Sequence, residues 1–151
     1  MKKSIFILFF SFISLFANNF NVAVSILPQK YFVEKIAKDR VDINVIVKPG
    51  FSPHTYEPKT SQMRMLSTSK VYFSIGVAFE KTWLDRFKSS NKNMQIVDTS
   101  MGIKKIEMVS HEHEEHNSTH SLDPHTWLDP TLAKIHALNI YKTLAKLDSK
   151  N

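Results

Sequence analysis

The sequence predicts an α/β fold: a parallel sheet flanked by helices, followed by the start of a long helix. Three observations carry this expectation. Short runs rich in β-branched residues begin near Val22, Val41, Val71 and Met94. The stretches between them place apolar residues at helical spacing, and Pro or Gly marks several of the joins. Strands that alternate with helices imply βαβ units and a mostly parallel sheet.

Phe20 to Leu27 alternates Val22, Val24 and Ile26 with apolar neighbours Ala23 and Leu27, which suits a strand buried on both faces. Gln29 to Lys38 carries Phe32, Val33, Ile36 and Ala37 at helical spacing. Val41 to Val47 is again β-branched, and Pro49-Gly50 breaks it. Ser61 to Ser69 reads as a short helix, Val71 to Ile75 as a third strand and Glu80 to Phe87 as a third helix. Met94 to Val97 is a fourth strand, and Ile103 to Val109 a further extended piece. From Pro130 onward, Leu132, Ile135, Leu138, Leu144 and Leu147 form a helical stripe. Asp129 is the expected N-cap, with Pro130 at the first helical position.

The chain has 151 residues, enough for one domain with a real core, and its 42% hydrophobic and 23% charged content is ordinary for a globular protein. The net charge of +6 is dispersed; Lys2-Lys3 and Lys104-Lys105 are the only basic pairs. No basic stripe interleaves with aromatics, which argues against a nucleic-acid partner. Residues 1–17 have a charged start, an apolar stretch and the small residue Ala17, the pattern of a Sec signal peptide. An uncleaved amino-terminal anchor is the alternative. Cysteine is absent, so there is no disulfide, no thiolate zinc site and no lipid-bearing cysteine. Export without a lipid anchor suggests the periplasm.

Two segments hold the chemistry: Ser52-Pro53-His54-Thr55-Tyr56-Glu57-Pro58 and Asp123-Pro124-His125-Thr126-Trp127-Leu128-Asp129-Pro130. Each brackets one histidine with prolines, which stiffen the backbone that carries the ring. Imidazole is the commonest borderline-soft metal ligand near neutral pH, so two rigid histidines suggest one shared metal site. The plain alternative is two loop histidines with no joint role. His54 follows the second strand closely, and open parallel sheets bind ligands beyond the carboxyl ends of their strands. Asp123 either orients an imidazole or only forms an Asp-Pro turn. Tyr56 and Trp127 read as wall or core aromatics, and His136 as a structural or surface residue on the last helix.

In order along the chain, Ile26-Leu27-Pro28, Pro53 to Pro58, Ile75-Gly76-Val77-Ala78-Phe79-Glu80-Lys81-Thr82-Trp83-Leu84 and Asp123 to Pro130 resemble a known family. Residues 22–151 are similar to the amino-terminal half of the zinc- and manganese-binding solute-binding proteins of bacterial ABC importers, the ZnuA/TroA-like family. The resemblance implies an amino-terminal lobe over 18–129 and the start of the helix that links two lobes over 130–151. It implies that the second lobe is absent here. It also implies that His54 and His125 are half of a metal site whose other ligands, usually a histidine and a carboxylate, come from that second lobe. The expected cargo is Zn²⁺, with Mn²⁺ less favoured because it suits more oxygen ligands. The expected partner is a membrane permease, and a separately encoded second lobe is a further one.

Residues 108–121 form a histidine-rich loop in which His111, His113, His116 and His120 sit among Glu112, Glu114 and Glu115. Such a segment can gather a metal through shifting sets of ligands, and zinc-importing members of the resembled family often carry one here. The run His111 to His116 is close to the H-x-H-x-D-H pattern of metallo-β-lactamase-like hydrolases. It lacks a preceding strand and following glycines, so no enzyme is expected. Two other readings stay open: a metal buffer or chaperone that works through the loop alone, and a non-functional gene fragment.

Overall fold

The computed structural model describes residues 19–108 and 122–148. The expected signal segment 1–17 lies outside the described residues, as do all four histidines of the loop, His111, His113, His116 and His120. The chain runs β1 (Phe20–Val24), α1 (Leu27–Ala37), β2 (Val41–Val45), α2 (Thr60–Leu66), β3 (Ser69–Ser74), α3 (Ala78–Ser90), β4 (Gln95–Asp98), a single 3-10 turn (Thr126–Leu128) and α4 (Pro130–Leu147). Among the described residues the strands pair in parallel, in the order β2-β1-β3-β4.

Alternation along each strand sends side chains to two separate cores. On one face Val22, Val24, Val71 and Phe73 pack with Val33 and Ala37 of α1 and with Ile140 and Leu144 of α4. On the other, Ala23 and Tyr72 pack with Leu66 of α2 and with Phe79 and Phe87 of α3. The sheet is therefore covered on both sides, as the near-continuous apolar strands required. The strand order reverses between β1 and β3, which opens a crevice at their carboxyl ends.

Element bounds differ from the sequence expectation where side chains compete for backbone groups. β1 ends at Val24 instead of Leu27, because the N–H groups of Ser25 and Ile26 donate to Gln29 Oε1 at 3.0 and 3.3 Å. α1 then starts at Leu27, with Pro28 in its first turn, where a missing N–H costs nothing. α2 stops at Leu66, and Ser69 opens β3 instead of closing the helix. The Ser67, Thr68 and Ser69 hydroxyls turn back onto the Arg64 and Met65 carbonyls, ending the helical ladder. The expected extended piece from Ile103 is reduced to one antiparallel bridge, Glu107 to Leu122. Ile106 there is 72% exposed, so no apolar burial supports a strand. The α4 start is as expected: Asp129 Oδ1 accepts from the N–H groups of Thr131 and Leu132 at 2.7 and 3.4 Å.

A chain of buried polar groups ties the strand ends together. Glu80 is 2% exposed, and its carboxylate accepts from the N–H of Ile75 at 3.0 Å, from the N–H of Gly76 at 2.7 Å and from the Ser25 hydroxyl. Tyr72 donates to Ser25 Oγ at 2.5 Å. Gln29 Nε2 donates to the carbonyls of Phe73 and Ser74, both at 3.0 Å, and to Thr99 Oγ1 at 3.1 Å. His136 of α4 is fully buried and joins Thr99 Oγ1 through Nδ1 at 3.0 Å. Among the described residues every buried side-chain polar atom has a partner.

Burial pushes the Glu80 carboxyl above its ordinary range, against the hydrogen bonds from Ser25, Gly76 and Ile75. Burial lowers the His136 pKa, with Asp98 raising it and Lys105 adding to the lowering.

Two outcomes follow. Phe87 is fully buried against Tyr72, Phe79 and Trp83, so Phe87→Ala should cost about 3–5 kcal/mol. Urea unfolding should show a lower midpoint at unchanged slope; a loss under 1 kcal/mol would contradict the packing role. For His136, the unfolded chain binds a proton at the ordinary value of 6.5 and the folded chain only below it. The stability due to the neutral ring is thus present above 6.5 and lost as pH falls from there toward the lowered folded value. The slope in that window is at most about 1.4 kcal/mol per pH unit. Glu80 acts with the opposite sign, its contribution falling as pH rises through its raised pKa. The difference between wild type and His136→Asn in chelator-treated buffer isolates the histidine: the variant should lose this acid limb, and parallel curves would refute the assignment.

Candidate metal centre

The crevice at the carboxyl edge of β1 and β3 is a cleft of about 230 Å³. Its lining includes Ile26 and Pro28 after β1, Pro53 and His54 after β2, Val77 and Ala78 after β3, and Pro124, His125 and Trp127 before α4. Residues from four separate connections thus meet at one point, and the two proline-bracketed histidines are both among them.

His54 sits on a segment stapled at both ends. The ladder from β2 continues as Ile46 N–H donates to Val24 O and Val47 N–H to Ser25 O, both at 2.9 Å. The chain then turns at Pro49-Gly50, where Gly50 takes φ +85°, a conformation that favours glycine. Pro53 O accepts from the N–H of Phe79 at 3.1 Å, which ties the loop to the first turn of α3. Tyr56 is buried between Phe51 and Phe79, and its hydroxyl donates to Gln62 Oε1 at 2.9 Å. It belongs to the core behind the loop. The His54 N–H donates to Ser52 Oγ at 3.2 Å, and the side chain is exposed to the cleft mouth.

His125 is fixed by Asp123 through two contacts. Asp123 Oδ1 accepts from the His125 N–H at 2.9 Å and lies 2.6 Å from Nδ1 of its ring. The two alternatives left open for this aspartate are therefore both realised: it forms the turn and it holds the imidazole. An imidazole whose Nδ1–H faces a carboxylate presents Nε2 as its free lone pair. The backbone hydrogen bond from His125, and then its ring, hold the Asp123 carboxyl below the usual range. Trp127 packs against the His125 ring at 5.2 Å between centroids. Upstream, the N–H of Asp123 donates to Ile106 O at 2.8 Å.

A second depression of about 470 Å³ adjoins the first and shares His54, Ala78 and Pro124 with it. Lys81, Lys105, Met108 and Leu122 line it as well. Met108 and Leu122 are the described residues on either side of the histidine-rich segment. Gly76 lines the second depression at φ +94°, with its N–H on Glu80. Among the described residues, no group of three or more His, Asp or Glu is placed to surround an ion. The cleft offers two imidazoles and open space.

Sequence reasoning did not single out Gln29, Glu80, Thr99 or Thr126, which hold the cleft walls. Their partners lie far along the chain, up to 70 residues away for Gln29 and Thr99. Glu80 sits in a motif already noted, yet its spacing looks like any helix start.

Comparison with known proteins agrees with this architecture. The family described as zinc-uptake complex component A, periplasmic (ZnuA), matches residues 22–151. The chain is 28% identical over 138 residues to the high-affinity zinc uptake system protein ZnuA of Bacillus subtilis, covering 87% of this chain and 43% of that protein. It is 32% identical over 124 residues to the manganese ABC transporter substrate-binding lipoprotein PsaA of Streptococcus pneumoniae, covering 78% and 38%. A crystal structure of ZnuA superposes with a TM-score of 0.78 at 42% identity, covering 89% of this chain and 49% of that one. The Mn-bound periplasmic metal binding protein from Candidatus Liberibacter asiaticus superposes with a TM-score of 0.75 at 26% identity, covering 88% and 47%. The chain spans half or less of the length of these relatives. With its parallel sheet, its order reversal and its two proline-bracketed motifs at one crevice, the chain belongs to the ZnuA family of metal-binding solute-binding proteins of ABC importers.

Proposed function

We propose that this chain is the amino-terminal lobe of a periplasmic solute-binding protein that captures zinc for a membrane permease. His54 and His125 are the ligands contributed by this lobe. One observation carries the reading: both rings line a single cleft at the strand-order reversal, and Asp123 leaves Nε2 of His125 free to bind a cation. Neutral imidazole binds Zn²⁺ at about 2.0–2.1 Å, and a tetrahedral ion leaves two more positions. A second lobe closing over the cleft supplies those positions in this reading, and water fills them otherwise. Two imidazoles favour zinc over manganese. Family members named for zinc and for manganese both occur, so ligand chemistry is what favours zinc here. His111, His113, His116 and His120 act as auxiliary collectors of the ion. The ion is bound and released unchanged, and no covalent step is involved.

The test separates the cleft from the loop. His111, His113, His116 and His120 are first replaced by Gln. In that background, a zinc competition titration should show His54→Ala/His125→Ala weakening affinity at least about tenfold, or about 1.4 kcal/mol. Manganese should bind more weakly than zinc. Equal zinc affinity with and without the two cleft histidines would contradict the proposal.

A further inference from the structure

His136 is buried at the centre of α4, yet it is eleven residues from the cleft histidine His125 and shares no motif with it. Its two ring nitrogens reach different parts of the fold. Nδ1 lies 3.0 Å from Thr99 Oγ1, beyond the end of β4. Nε2 lies 2.9 Å from Thr126 Oγ1, on the residue that follows His125.

Thr99 Oγ1 lies 2.9 Å from Ser74 O and 3.1 Å from Gln29 Nε2. Ser74 O also accepts from the Thr99 N–H at 2.9 Å and from Gln29 Nε2 at 3.0 Å. A neutral His136 ring donates from one nitrogen and accepts at the other, so in either tautomer it bridges the Thr99 and Thr126 hydroxyls. The alternative partner of the Thr126 hydroxyl, Pro124 O, is farther away at 3.4 Å. One helical turn later, Asn139 Nδ2 donates to Thr99 O and Met101 O, both at 2.9 Å. α4 therefore grips the end of β4 at two points, and through His136 it also holds the turn after His125.

We propose that His136 is a positioning residue for metal binding: through Thr126 it locks the Thr126–Leu128 turn against the sheet, and so fixes the orientation in which Asp123 holds the His125 ring. The inference rests on the reading of His125 as a ligand for its functional meaning, but its geometry can be tested without metal. The turn itself is short. It keeps only the Thr126 N–H to Pro124 O and Leu128 N–H to His125 O bonds, at 2.8 and 3.1 Å. Trp127 packs partly buried against the core, and the Thr126 hydroxyl ties the turn to the fully buried His136 ring. Without that tie the backbone of the turn loosens, and the His125 lone pair samples several directions.

The experiment uses Thr126→Val, which keeps the shape of the side chain and removes the hydroxyl, and Thr126→Ser, which keeps it. The full chain carries Gln in place of the four loop histidines. Long-range proton–nitrogen NMR of the imidazoles in metal-free protein reads the His125 tautomer. Wild type and Thr126→Ser should hold His125 protonated at Nδ1 and bare at Nε2, and Thr126→Val should show a mixture. Zinc competition should show Thr126→Val weakened roughly tenfold, the low end for groups that orient a ligating histidine, with Thr126→Ser near wild type. A Thr126→Val variant that melts earlier but keeps both the His125 tautomer and the zinc affinity would overturn the inference, leaving His136 as packing alone. If wild-type affinity does not depend on His54 and His125, the proposed function fails, and the tautomer still decides the positioning claim.

Discussion

The buried Glu80 carboxylate holds the two central strands together at the point where they end. Parallel strands that stop at a crevice leave N–H groups pointing into it, and such groups are costly when buried without acceptors. Glu80 takes the N–H groups of Ile75 and Gly76 and the hydroxyl of Ser25, so one side chain closes β3 and joins it to the end of β1. That closure lets Gly76 adopt its positive φ and lets α3 begin at Ala78. The walls of the cleft depend on these bonds. Desolvation works against the charge, and the fold offsets this with donors in place of a buried cation.

The cleft gathers rigidity from several directions. His54 is placed by the Pro53 carbonyl on α3 and by the aromatic stack of Phe51, Tyr56 and Phe79. His125 is placed by Asp123 from below and by the turn that leads into α4. Two histidines some seventy positions apart meet because each follows the end of the sheet and each lies in a loop tied to a helix start. Both rings remain partly open to solvent, which suits an ion that must enter and leave.

Much of this was legible in the sequence. The strands announced themselves because both faces are buried, so Val22 to Val24 and Val71 to Phe73 had to be apolar throughout. The Asp129-Pro130 cap followed from local chemistry, and the two histidine motifs were visible as rigid brackets. What could not be read was set by partners distant in sequence. Gln29 looks like an ordinary polar residue in a helix, yet it ends β1 and bridges to Thr99. His136 stands beside an apolar stripe, which fits a structural or a surface residue equally; it is buried, and its partners come from two loops. The extended piece after Ile103 looks like a strand because its residues favour one, but among the described residues it makes a single bridge, Glu107 to Leu122.

The central claim is that the two proline-bracketed histidines form one metal half-site. Zinc-edge anomalous diffraction from crystals of this chain grown with stoichiometric zinc tests it most directly. The account predicts an anomalous peak in the cleft, within about 2.0–2.1 Å of one ring nitrogen from each of His54 and His125. A well-occupied zinc elsewhere, with no density between those rings, would contradict it.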